Sequence, residues 1–280
     1  MNESERHFFE QASPNIGPQK SGDDRYREAK KTLDAWLAAG ALRRDAEPAI
    51  YRYNQLFSVA GTLDLRAIGI TNGLTAGSGG AIQNTGLLLI DRAQIHNNQA
   101  SFAGGAIENF GSLVVTNSVF YTNTAGTTGG AIDDQSGSTL VVNTTFSGNT
   151  AGSGGGISHF GGVLTLVNDT FVGGTAPNQG TSIYVPAGTA SATNTILFST
   201  NAGTGCGGTV TDGGGNLSGD ASCSFAAGAN PNLAALANNG GPTKTAAIAT
   251  SSPAFNIGVA SACAAFQPTG AGGVDQRGSS

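Results

Sequence analysis

The chain has 280 residues with a formal net charge of −5, 39% hydrophobic residues and 44 glycines. This composition allows a core but supplies no basic stripe to neutralise phosphates, so nucleic acid is excluded as a partner. No apolar run approaches the roughly 18 residues that a membrane-spanning helix needs, and no transmembrane span is expected.

Charge divides the chain near Ser58. Residues 1–58 hold 9 of the 13 Lys and Arg and 9 of the 18 Asp and Glu, leaving 4 and 9 for everything that follows. Within the first segment, Ala29, Leu33, Trp36 and Leu37 form an apolar stripe at helical spacing. Asp23 or Asp24 is placed to cap the start of a helix over Arg25–Ala39, and Gly40 to end it. A short extended piece over Ala49–Leu56 follows. On these residues the segment is a charged helical piece that plugs the open end of whatever comes next, or a fused fragment.

The string from Asp24 to Gln55 also resembles the N-terminal part of a bacterial cytoplasmic family of unknown function. Four motifs carry the resemblance: D-x-Y at Asp24, L-x-x-W at Leu33, G-x-L at Gly40 and D-x-x-P-A-x-Y at Asp45. It spans roughly residues 5–56 and implies no activity.

From residue 59 the sequence changes character. Gly-Gly-Ala-Ile or a near twin begins at Gly79, Gly104, Gly129 and Gly154, a spacing of 25 residues. A fixed period of this size means one supersecondary unit stacked on itself. Aligned on the glycines Gly61, Gly86, Gly111, Gly137 and Gly162, the repeats show apolar columns. Leu63, Leu88, Leu113, Thr139 and Leu164 form the first, and Leu65, Ile90, Val115, Val141 and Leu166 the second, two residues later, as inward positions of one strand require. Ile70, Ile95, Phe120, Phe146 and Phe171 form a third after a bend, and Ile82, Ile107, Ile132 and Ile157 a fourth.

The bends are polar. Asn117, Asn143 and Asn168 occupy one column, and Asn98, Asn123 and Asn149 another. Asparagine tolerates left-handed backbone and its amide can bond the same amide one layer away, so both columns are expected to be structural ladders. A leucine-rich repeat would share the period but needs a helical return, and the return segments here are Gly, Thr, Ser and Asn. The pattern specifies an all-β protein, a single-stranded right-handed parallel β-helix of the pectin lyase-like kind, over residues 59–200. Two further coils are expected around Ile183, Val185, Ile196 and Phe198.

Catalytic β-helices work through carboxylates clustered on one strand face. The residues after the GGAI isoleucine place Glu108, Asp133 and Asp134 on consecutive layers, with His159 on the next. Layers about 5 Å apart would give a spacing suited to general acid and base work on glycosides. Against this, the neighbouring coils carry Gln83, Asn84 and Asn109 in the same columns, which makes the acids solvated turn variants. The polygalacturonase motifs N-T-D and G-H-G are missing, and Arg92 is the nearest base. Calcium binding by Asp133 and Asp134 lacks a supporting acidic repeat. No cofactor and no metal is expected.

The last third carries a second resemblance. C-G-G at Cys206, GGGNLS at Gly213, C-S-F at Cys223, NPNLAALANNGGPTKTAAI at Asn230, SSPAFNIG at Ser251 and DQRG at Asp275 resemble the bacterial choice-of-anchor Q proteins over residues 190–278. Residues 201–280 are read as that family's C-terminal region. The repeats from 79 to 174 are also similar to those of polymorphic outer-membrane proteins, which pair GGAI with F-x-x-N. The chain departs from the first family at Ala246, where histidine is usual, and at Asn256, where aspartate is usual.

These resemblances imply a secreted or cell-surface protein, structural or adhesin-like, whose partner is a surface glycan or a protein. The usual leader and anchor are expected to be missing from this chain. The cysteines fit an oxidising compartment, with Cys206 and Cys223 closing a loop; Cys263 is left as a thiol or pairs with Cys223 instead. A polysaccharide lyase or hydrolase using Glu108, Asp133 and Asp134 is the alternative, and a chimeric or truncated chain without a function as a whole is a third.

Overall fold

The computed structural model describes residues 56–199, 201, 203–223, 225, 230–264 and 272–279. The helix expected over Arg25–Ala39 and the extended piece before Leu56 lie outside the described residues.

The described chain is an all-β, right-handed parallel β-solenoid with one short helix at Ala260–Ala264. Each coil contributes one strand to each of three faces. The first coil supplies Phe57–Val59, Thr62–Arg66 and Gly69–Thr71, and the second Ile82–Asn84, Leu87–Asp91 and Gln94–His96. Stacking produces three seven-stranded parallel sheets, called here A, B and C in chain order, and a three-stranded fourth that begins with Leu74–Thr75. Strands of the solenoid run as far as Leu217–Ser218.

Register converts the sequence columns into physical ones. Leu88, Leu113, Thr139 and Leu164 are direct partners across sheet B, as are Phe120, Phe146 and Phe171 across sheet C. The three phenylalanines are buried and stack nearly parallel, with ring centroids 5.1 and 4.5 Å apart. No single coil has enough apolar area for a core; repetition at about 4.8 Å per layer makes one continuous column.

In sheet C the coil beyond Phe171 places Leu197 in the inward column and leaves Ile196 and Phe198 facing outward and half-buried. Strand alternation explains this: the register follows the column, not the bulkiest side chain.

The GGAI glycines have distinct duties. Gly129 has φ of +63°, in the left-handed region, and a Cβ on Gly130 would stand 2.2 Å from the carbonyl oxygen of Gly155 in the next layer. One glycine makes the turn and the next lets the layers touch.

Candidate functional site

The acidic residues singled out in the sequence sit at the end of the sheet A strands. Ile107, Ile132 and Ile157 point into the core, and the two residues after each lead into the turn toward sheet B. Register sets Gln83, Glu108, Asp133 and Ser158 in one column and Asn84, Asn109, Asp134 and His159 in the next.

The acids are not solvated, contrary to the expectation from the sequence. Asp133, Asp134 and His159 are 0% exposed and Glu108 is 8% exposed. The reason is mutual hydrogen bonding along the stack, which allows a polar group to be buried at little cost. Asn84 Nδ2 donates to Asn109 Oδ1 at 2.7 Å, and Asn109 Nδ2 donates to Asp134 Oδ1 at 2.7 Å. His159 Nδ1 donates to Asp134 Oδ2 at 2.7 Å. The same asparagines also clamp the turn, since Asn84 Oδ1 accepts from the amide of Gly86 at 3.1 Å and Asn109 Oδ1 from that of Gly111 at 3.3 Å. His159 Nε2 is buried and has no hydrogen-bond partner among the described residues.

In the adjoining column Gln83 Nε2 donates to Glu108 Oε2 at 2.7 Å, and Asp133 accepts from Ser158 Oγ and from Gln135 Nε2. Burial pushes the Glu108 carboxyl above its ordinary value and the neighbouring Asp133 charge adds to this, while hydrogen bonds from Gln83 and Ser78 oppose it. Two carboxylates on adjacent layers, one of raised proton affinity, form the elementary acid and base pair of glycoside chemistry. Here, however, both oxygens of Asp133 are occupied by Ser158 and Gln135, and little of either acid is exposed. Among the described residues, no group of three or more His, Cys, Asp or Glu is arranged to hold a metal ion.

The two asparagine columns occupy different kinds of bend. Asn98, Asn123 and Asn149 are buried inside the coil beyond sheet C: Asn98 Nδ2 donates to Asn123 Oδ1 at 2.9 Å, and Asn123 Nδ2 donates to Asn149 Oδ1 at 3.0 Å. Asn117, Asn143 and Asn168 lie at the corner between sheets B and C with φ of 51°, 53° and 58°, joined by amide bonds of 3.2 and 3.3 Å.

A further ladder at that corner escaped the sequence reading. Ser118, Thr144, Asp169, Thr195 and Asn216 each accept, through the side chain, a backbone amide from the preceding layer, from Ala93, Ser118, Thr144, Asp169 and Thr195 respectively. Its members differ in residue type and share only an acceptor oxygen, so no single letter recurs. Asp169 is fully buried; burial pushes its carboxyl well above the usual range, against the pull of the amides of Thr144 and Val167.

The C-terminal residues form a strap along the same corner. Thr243 Oγ1 donates to the Asn117 carbonyl at 3.0 Å, and Asn143 Nδ2 to the Val274 carbonyl at 3.1 Å. Gln276 joins everything: its Nε2 donates to the carbonyls of Ser118 and Lys244 and to Thr243 Oγ1 at 2.9–3.0 Å, while its Oε1 accepts from Thr145 Oγ1 at 2.6 Å. The N-G-G-P-T and D-Q-R-G motifs, far apart in sequence, therefore meet on the flank of the solenoid. Val119, Val142 and Thr145, outward-facing beside the strap, are buried, whereas Gln94 and Thr170 beside them in sheet C are half-buried. Lys244 lies over the Tyr121 ring, 4.8 Å from its centroid.

Cys206 and Cys223 form a disulfide at the far end of the stack, and Cys263 is an exposed free thiol. Comparison with known proteins finds one similarity: residues 1–77 match a family described as a protein of unknown function (DUF1015). The match covers the N-terminal segment and all four strands of the first coil. No curated protein and no solved structure matches the chain.

Proposed function

We propose that this chain is a non-catalytic β-helix acting outside the bacterial cell or on its surface, a structural, adhesin-like module that offers its flat sheet faces to a glycan or a protein. The observation that carries this reading is the enclosure of Glu108, Asp133 and Asp134 within hydrogen-bonded columns, which leaves the acids as rungs of the solenoid. The outer face of sheet B, whose strands are mostly five residues long, presents Leu89, Val114, Leu140 and Thr165 half-buried and in register across four layers. The disulfide supports an oxidising location, because such bonds persist mainly in secreted and surface proteins.

Reducing-sugar and unsaturated-product assays on plant and bacterial polysaccharides test the reading. Absence of product together with binding on a glycan array is the expected outcome. Turnover that Asp133→Ala abolishes would replace it with a lyase or hydrolase.

A further inference from the structure

The hydrogen bonds that tie the strap to the asparagine corner fall into two groups. The first surrounds Gln276, whose side chain bonds two successive layers at the Ser118 carbonyl and Thr145 Oγ1 and also bonds Thr243 Oγ1 and the Lys244 carbonyl. One residue thus pins two distant parts of the strap to each other and to the solenoid. The second surrounds Asn194, three layers along the same corner column from Asn117: its Oδ1 accepts from the Val259 amide at 2.6 Å, and its Nδ2 donates to the Val259 carbonyl at 3.1 Å. The corner position has positive φ in six coils, taken by Ala67 and Arg92 in the first two and by Asn117, Asn143, Asn168 and Asn194 in the next four. The turn itself does not require an amide, and the amides stand where the strap docks.

Little packing reinforces these bonds. Among the described residues of the strap, 230–264 and 272–279, the buried ones are Pro231, Thr243 and Ser252. Ser252 Oγ donates to the Pro231 carbonyl inside the strap, whereas Thr243 bonds the solenoid at the Asn117 carbonyl. Regular structure among these residues amounts to the helix at Ala260–Ala264 and an isolated bridge between Ala237 and Thr245. A segment held by side-chain hydrogen bonds, with no core of its own, opens at a lower free energy than strands stacked in seven-stranded sheets. What lies beside it is dry: Val119, Val142 and Thr145 are buried, while Gln94 and Thr170, one layer before and one after in the outward column of sheet C, are half-buried.

We infer that the strap is a releasable clasp, held shut by Gln276 at one end and Asn194 at the other, which opens as one unit on a solenoid that stays folded and so bares the strip of Val119, Val142 and Thr145. The closed clasp keeps that strip from neighbouring molecules, and the open one presents it along the corner between sheets B and C. Use of the bared strip by a partner rests on the surface reading proposed above. The opening does not, and thiol labelling reads the opening alone.

In the full-length protein, Val119→Cys places a thiol of similar size under the clasp, with the exposed Cys263 replaced by Ser and the Cys206–Cys223 disulfide left intact. Labelling by a thiol reagent is expected to be slower than at Gln94→Cys in the same column, yet to run to completion in buffer with the far-ultraviolet strand signal unchanged. Gln276→Ala should speed it about 10-fold or more, since several hydrogen bonds are lost together. Asn194→Ala, three layers away, should speed it as well, because opening is one event. Should that variant lose its strand signal, Asn194→Asp is the milder probe, keeping the acceptor for the Val259 amide and removing the donor to its carbonyl. Labelling of Val119→Cys that occurs only as urea removes the strand signal overturns the proposal, because the clasp is then part of the solenoid. Labelling as fast as at Gln94→Cys also overturns it, since the clasp is then not shut in solution. So does a rate that Gln276→Ala raises and neither Asn194 variant moves, which would mean that the ends fray separately.

Discussion

Two polar columns run through the same coils and solve burial in opposite ways. Beyond sheet C, Asn98, Asn123 and Asn149 are identical amides, each able to donate to one layer and accept from the other. At the end of sheet A, Asn84 and Asn109 hand over to Asp134 and His159, so the donor and acceptor directions must meet at the carboxylate. An amide column can continue indefinitely, whereas a carboxylate accepts from both sides and reverses it. Among the described residues the mixed column leaves His159 Nε2 buried and unpartnered, and none of the three amides in the uniform column has such an atom. Like residues in a turn thus signal a ladder without a defect. Unlike residues mark where the ladder changes direction.

The largest expected effect comes from breaking the uniform column. Asn123 Oδ1 accepts from both the backbone amide and the side chain of Asn98, and Asn123 Nδ2 donates to the Ile95 carbonyl and to Asn149. Asn123→Ala should cost about 3–6 kcal/mol, because several buried groups each lose a partner worth roughly 1–3 kcal/mol. Urea unfolding measures it, and a loss below about 1 kcal/mol would show that backbone pairing alone holds the turn.

Reducing the disulfide should come next. Removing Cys206–Cys223, with a sequence separation of 17, frees a loop whose closure is worth about 3 kcal/mol. Thermal melts with and without reductant check this, and an unchanged midpoint would mean that the last coil needs no staple.

The mixed column sharpens the comparison. Asp134→Ala should lose about 2–4 kcal/mol by orphaning Asn109 Nδ2 and His159 Nδ1, whereas Asp134→Asn retains one acceptor and sheds a buried charge, costing about half as much or less. Equal losses for the two variants would show that the charge itself is needed.

A comparable contrast exists in the ladder at the corner between sheets B and C, where Asp169 stands between Thr144 and Thr195. Its raised proton affinity means that the native state binds more protons than the unfolded chain from about pH 3.8 upward. Stability therefore falls as pH rises through that window and levels off above the folded value, and Glu108 acts in the same sense from 4.5. Asp91 and Asp220 act in the opposite sense. For both, burial favours the protonated form, but hydrogen bonds from Asn117 and Ser222 respectively, with others, outweigh it; their contribution is present above the usual carboxylate value and lost on acidification. Asp169→Thr should flatten the decline above about pH 4 and raise the midpoint at about pH 7, as read from urea titrations across pH. An unchanged slope would place the pH dependence elsewhere.

The smallest expected effect is on the strap. Gln276→Ala removes bonds to Ser118, Thr145, Thr243 and Lys244 and should cost about 1–3 kcal/mol, with earlier proteolysis in residues 230–279 as its local signature. Proteolysis indistinguishable from the unaltered protein would show that the strap is held by other contacts.

Much of this molecule was legible from its letters because a solenoid repeats in space what it repeats in sequence. The leucine, isoleucine and phenylalanine columns, the glycine pair and both asparagine ladders recur at fixed spacing, and each recurrence is one layer of contact. The ladder of Ser118, Thr144 and Asp169 shares a function without sharing a letter, so spacing could not expose it. Whether Asp133 and Asp134 face water or the interior depends on Ser158, His159 and Asn109 one layer away, and on how tightly the turns close. The meeting of Thr243 with Gln276 against Asn117 and Ser118 lies wholly outside the period. Local repetition determined the coil, its faces and its core, because those contacts join equivalent positions. Only the assembled stack decided which polar groups are dry and where the chain's end comes to rest, because burial and long-range docking belong to no single repeat.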